Sequence, residues 1–148
     1  MTGAIAVIDI DNGNNLHDVW DTPVAGGAVA VPLLQDHLTA LQLTGHILGV
    51  AIEQVHSMPK QGVSTTFKFG MAYGIVLGFF GANHRVAHVQ PTTWKGHFKL
   101  NGKDKDVARL RAIERWPNSS DLLKRKKDGG RADAALIGLH FAETAVYA

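Results

Sequence analysis

Hydrophobic positions change their period along the chain, and the changes mark the elements. "AIAVIDI" (Ala4–Ile10) is a short β-branched run that breaks off into the turn-forming "DNGNN". That pattern predicts a strand. Two further short strands are expected near "HDVW" and "GAVAV". Pro32 suits the first turn of a helix. Behind it Leu33, Leu34, His37, Leu38 and Leu41 form an apolar stripe of helical period, which Gly45 ends. "HILGVAIE" (His46–Glu53) is continuously apolar until its last residue and predicts a strand buried on both faces. "STTFKFGMAYGIVLGFF" (Ser64–Phe80) follows a possible Ser/Thr cap, and its Gly70, Ala72, Gly74 and Gly78 suit close helix packing. "HRVAHV" (His84–Val89) predicts a strand, and "PTTW" opens a helical turn at Pro91. An amphipathic helix is expected over Asp104–Trp116, stopped by Pro117, and a last helix over Arg131–Tyr147. Antiparallel strands first, then strand–helix–strand and closing helices, give an α/β plan with one mixed sheet.

Composition narrows this little. A chain of 148 residues, 45% hydrophobic and 19% charged, fits one compact domain with a substantial core. No uninterrupted apolar run reaches about 18 residues, so no membrane span is expected. The N-terminus lacks the basic start of a signal peptide. The absence of cysteine excludes disulfides, thiol catalysis and Cys-based zinc sites, and fits a cytoplasmic setting.

Charge changes the picture more. The net charge of +2 hides a strong asymmetry. Residues 1–83 carry two Lys/Arg against six carboxylates, whereas residues 84–131 carry 13 Lys/Arg against five. A basic segment beside an acidic one suits a protein that binds phosphates with one part and metal ions with another. "LLKRKKDGGR" gathers Lys124, Arg125, Lys126, Lys127 and Arg131 just before the last helix. Lys95, Lys99, Lys103 and Lys105 extend the basic surface, while Trp94 and Trp116 at helical positions are expected in the core.

The acids fall at informative places. Asp9 and Glu53 close predicted strands, Asp11 follows two residues after Asp9, and Asp133 lies in the first turn of the last helix. Sites in α/β sheets favour the carboxyl ends of strands. Neighbouring parallel strands would bring Asp9 to Glu53, and a helix across the sheet would add Asp133. Ionised carboxylates share a small volume only around a cation. All-oxygen donors favour Mg²⁺ or Mn²⁺, and a pair of such ions can hydrolyse a phosphodiester. Each acid also has an ordinary reading as a turn former, a cap or a first-turn helix residue.

Four motifs in order resemble the RuvC family of Holliday-junction resolvases, especially its bacteriophage and prophage members. They are "VIDIDNG", "AIEQV" with the following "HSMPKQGVSTTFKFGMAYG", "VQPTTWK" with "GKDKDVARLRAIERWP", and "GGRADAALIG". The resemblance spans nearly the whole chain. It implies an RNase H-like fold with a central mixed five-stranded sheet flanked by helices. It also implies a homodimer in a bacterial or phage-infected cell that nicks four-way DNA junctions symmetrically, using two Mg²⁺ ions (with Mn²⁺ as substitute) per site. By position, Asp9, Glu53 and Asp133 become the metal-binding catalytic acids. The family's fourth ligand falls on Gly130, leaving Asp128 or Asp11 to replace it. His56 stands near where cellular members carry an aromatic that wedges against junction bases. His56, Lys60, Lys95, Lys103, Lys105, Lys124, Arg125, Lys126, Lys127 and Arg131 are the expected DNA contacts. The helix over Thr65–Phe80 is the expected dimer surface. Alternatives are a flap or replication-fork nuclease, a junction-binding architectural protein of weak activity, and an ATP-binding domain whose Gly-rich phosphate loops are missing.

Overall fold

A computed structural model describes residues 3–56 and 59–145. The chain is of mixed α/β class and divides into two compact units, Met1–Thr22 with Val89–Ala148, and Pro23–His88. The sequence length by itself suggests one domain.

In the first unit β1 (Ala4–Asp9) pairs antiparallel with β2 (Asn15–Asp21). The register jumps between Val7↔Asp18 and Ile8↔Leu16, so His17 is the extra residue of a bulge. The bulge has a packing consequence. Leu16 and Val19 are three residues apart, a spacing that would point them to opposite faces of a regular strand. With one residue bulged out, both are buried. The intervening turn uses Gly13 and Asn14 at positive φ (63° and 57°), the conformation glycine and asparagine adopt most readily. Two residues from later in the chain hold that turn: Trp116 Nε1 donates to Asn14 O at 3.0 Å, and Arg115 Nη2 to Gly13 O at 2.9 Å.

Three helices complete this unit. In α3 (Pro91–His97) a proline sits in the first turn and Trp94 is fully buried. The next, α4 (Lys105–Arg115), starts where the Asp104 carboxylate accepts from Asp106 N at 3.0 Å. The last, α5 (Gly129–Thr144), packs on β1, α4 and α3. It approaches β1 so closely that a Cβ at Gly138 would meet Ile8 Cγ1 at 2.8 Å. The core is Leu16, Val19, Trp94, Leu100, Ala112, Trp116, Leu123, Leu136 and Leu139 with their small neighbours. Both tryptophans are therefore core residues. Helix α5 begins two residues before Arg131, because a 3₁₀ turn over Lys126–Asp128 feeds straight into Gly129. The expected end at Tyr147 lies outside the described residues.

In the second unit β3 (Val24–Ala25) and β4 (Ala28–Val29) form a hairpin around Gly26 and Gly27, both at positive φ, as a tight two-residue turn needs. Helix α1 (Val31–Gln42) carries Pro32 in its first turn and buries Leu34 and Leu38. Strand β5 (Val50–Glu53) pairs with β6 (Val86–Val89). Helix α2 (Val63–Gly81) starts behind Gly62, which makes no side-chain cap, and contributes no buried residue.

Two expectations change here. The strand expected over His46–Glu53 is only four residues long, since the chain enters the ladder at Val50, whose N–H donates to Arg85 O at 3.1 Å. The hydrogen-bonded sheets among the described residues are the pairs β1–β2, β3–β4 and β5–β6, in place of one mixed five-stranded sheet. Strand β1 pairs with β2, and the strand ending at Glu53 pairs with β6. Among the described residues one helix, α2, is long and apolar enough to cross a membrane by length and composition alone.

Candidate nucleic-acid interface and acidic residues

Asp9 is the last residue of β1, and its half-buried carboxylate already has a local task. Oδ1 accepts from Asp11 N at 3.1 Å and starts the 3₁₀ turn Ile10–Asn12. Asp11 itself is exposed. Asp133 lies in the second turn of α5, the helix that packs on β1. It lines a cleft of about 70 Å³ together with Lys95, Leu100, Lys103, Asp104, Lys105 and Ala108. Each of these residues arrives by its own local logic. Lys95 follows buried Trp94 on α3, and its ammonium sits 5.5 Å from the Trp94 ring centroid. Lys103 follows Gly102, which turns the chain at φ 74°. Lys105 opens α4. Three expected DNA-contact lysines thus share a cleft with one expected catalytic acid.

The basic loop before α5 divides into two groups. Asp128 is buried (1% exposed) and gives both oxygens to Arg125. Arg125 N donates to Oδ2 at 2.9 Å, Nη2 to Oδ1 at 2.7 Å, and Nε to both oxygens at 3.0 and 3.1 Å. Burial raises the Asp128 carboxyl pKa, but the Arg125 hydrogen bonds outweigh it and hold the group below the usual range. Arg131 reaches across to β2, donating to Asp21 from Nε at 2.9 Å and from Nη2 at 3.2 Å. Lys124 pairs with Asp121 at 3.1 Å on the surface. Lys126 and Lys127 are exposed on the 3₁₀ turn. Of the loop cations expected to meet phosphate, Arg125, Arg131 and Lys124 are engaged by carboxylates of this chain, while Lys126 and Lys127 stand exposed.

In the second unit Glu53 ends β5, half-buried. His56 lines a pocket of about 100 Å³ with Val55, Thr66, Phe69, Gly70 and Tyr73. Tyr73 Oη and His88 Nδ1 are 3.2 Å apart. Lys60 sits exposed in a turn at φ 68°. The adjoining Ser57 and Met58 of the expected junction-contacting loop lie outside the described residues.

Two polar groupings escape the sequence reading. Arg109 looks like one more cation on an amphipathic helix, yet it is 8% exposed. The second is a histidine pair between α3 and α5. His97 Nε2 donates to Glu143 Oε2 at 2.6 Å, and the His97 and His140 rings lie 5.0 Å apart at 73°. His140 Nδ1 is buried without a hydrogen-bond partner. The i, i+3 spacing of His140 and Glu143 was visible, but the arrival of His97 was not. Burial, then the neighbouring His97, lower the His140 pKa, and Glu143 opposes them. The unfolded chain therefore binds this proton more readily. The stabilising effect is whole above the ordinary histidine value of about 6.5 and is lost as pH falls through the lower folded value. Urea midpoints of the wild type should fall over that window relative to His140→Gln; parallel curves would show that His140 protonates without cost.

Among the described residues, no group of three or more His, Asp or Glu side chains is placed to hold a metal ion. No protein-family model matches the chain, and no curated protein matches it.

Proposed function

We propose that this chain is a Mg²⁺-dependent, structure-selective endonuclease of RuvC kind, with an RNase H-like fold and four-way DNA junctions as its substrate. The observation that carries the reading is the cleft of Asp133 with Lys95, Lys103 and Lys105. Two carboxylates, Asp133 and Asp104, sharing a cleft with three lysines suit a phosphate that arrives with a metal ion. The lysines neutralise backbone charge and fix the strand without reading sequence. Asp9, Glu53 and Asp133 offer the hard oxygen donors Mg²⁺ prefers. Held by such carboxylates, Mg²⁺ would supply an activated water and stabilise the leaving oxygen. Asp9 and Asp133 belong to packed elements of one unit, while Glu53 belongs to the other.

Two active sites are needed for symmetric nicking, and α2 supports a homodimer. Val63, Phe67 and Met71, four residues apart on one helix face, are 88%, 71% and 40% exposed. Next to them, Gly70, Gly74 and Gly78 leave open space where a second helix could approach.

One observation favours a second reading. Since Arg125 takes both Asp128 oxygens, one of the two expected replacements for the fourth ligand is occupied, and Asp11 remains. That supports a junction-binding protein of weak activity. The two readings separate when labelled four-way junction, flap and linear duplex are incubated with Mg²⁺ or EDTA. Paired nicks in the junction only with Mg²⁺ are expected. Tight junction binding without cleavage would favour the architectural protein, and preferred flap cutting would make junctions a secondary substrate.

A further inference from the structure

Three consecutive backbone carbonyls are gripped by arginine side chains. Leu122 O accepts from Arg131 Nη1 at 3.2 Å, while Leu123 O and Lys124 O accept from the single Arg109 Nη1 at 3.2 and 2.9 Å. Arg109 is itself fixed. Its Nε and Nη2 meet the two oxygens of Asp106 at 2.8 and 3.1 Å, a two-point contact that sets the plane of the guanidinium. Asp106 is in turn held at the start of α4, where its N–H donates to Asp104. Leu123 is fully buried behind these contacts. Everything a loop needs for a fixed course is present just before Lys126 and Lys127.

We propose that Arg109 is a positioning residue for DNA: oriented by Asp106, it clamps the carbonyls of Leu123 and Lys124 so that Lys126 and Lys127 meet backbone phosphates from a preformed loop. This rests on the nucleic-acid reading above. A loop ordered in advance spends no binding free energy on its own ordering. A lysine at position 109 keeps the charge but cannot span Asp106 and two carbonyls at once. The role thus differs from that of a general surface cation.

The test uses Arg109→Lys and, in case that variant folds poorly, Asp106→Asn, which leaves Arg109 in place. Both are studied well below their melting temperatures. Two readouts are taken: the rate of trypsin cleavage within residues 124–127, and four-way junction affinity by fluorescence anisotropy across a salt series. Loop cleavage is expected to accelerate, because local opening becomes more frequent. Affinity should fall roughly tenfold, the scale of one charge-assisted contact. The salt slope should shrink by about 1–2, as two phosphate contacts are lost. Adding Lys126→Ala and Lys127→Ala should then cost little more, since the variants remove one shared interaction. A loop as resistant as wild type in both variants would overturn the clamp. A loosened loop with unchanged affinity and slope would overturn its role in binding, while leaving DNA binding itself intact. Failure of the wild type to bind any DNA would instead remove the function, and this role with it, whatever the protease shows.

Discussion

Asp133→Asn should lower junction cleavage by at least about 10²-fold, the scale seen when one charge-stabilising group leaves an active site, and should leave junction affinity equal or higher. The substitution keeps the side-chain shape on α5, so the helix that packs on β1 is not disturbed. It removes a negative charge from a cleft shared with three lysines. Loss of that charge takes away an oxygen donor for Mg²⁺ and also a group that repels phosphate. The two effects have opposite signs on cleavage and binding, and that opposition makes the result diagnostic. Cleavage is followed under single turnover at saturating protein, and affinity in EDTA. Wild-type cleavage by Asp133→Asn would remove Asp133 from the site. A parallel fall in cleavage and affinity would make it a structural residue. Glu53→Gln, placed in the other unit, should match the cleavage loss if the two acids serve one centre.

Much of the helical part of this fold was legible. Pro91, Asp104 and Pro117 bracket α3 and α4 because capping and helix breaking are local events, settled within a few residues. The hairpin at Gly26–Gly27 and the turn after Asp9 follow from backbone freedom at particular positions. Strand partnership is another matter. "AIAVIDI" and "HILGVAIE" carry equally apolar patterns, and nothing in either says which other segment will supply its ladder. Only the first became a full strand. The site shows the same divide. Asp133 and three of the lysines were readable as types and come together in one cleft. The family resemblance makes Asp128 a candidate for the fourth ligand, but its carboxylate answers Arg125. Arg109 occupies a charged-face position in the sequence and a buried one in the fold. Side-chain pairing over three residues within a loop leaves no periodic signature.

Asp128→Ala should destabilise the fold by roughly 2 kcal/mol, independently of metal. Breaking a fully buried ion pair by removing one partner costs about 3–5 kcal/mol. Here only the acid is buried, and Arg125 remains 47% exposed, so water recovers part of its charge. What stays lost is the acceptor for Arg125 N, together with the bonds that close the 3₁₀ turn ahead of α5. The pH dependence has a definite sign. The folded Asp128 carboxyl is held below the ordinary value, so its contribution is whole above about 3.9 and disappears as pH falls through the lower folded value. The gap between wild-type and Asp128→Ala urea midpoints should therefore be widest near neutrality and narrow in acid. Mg²⁺ decides what the carboxylate is for. A metal ligand would let Mg²⁺ stabilise the wild type more than the variant, through binding to the folded state. A carboxylate committed to Arg125 gives the same Mg²⁺ shift in both. The geometry favours equal shifts, and a wild-type-only shift would return Asp128 to the metal site.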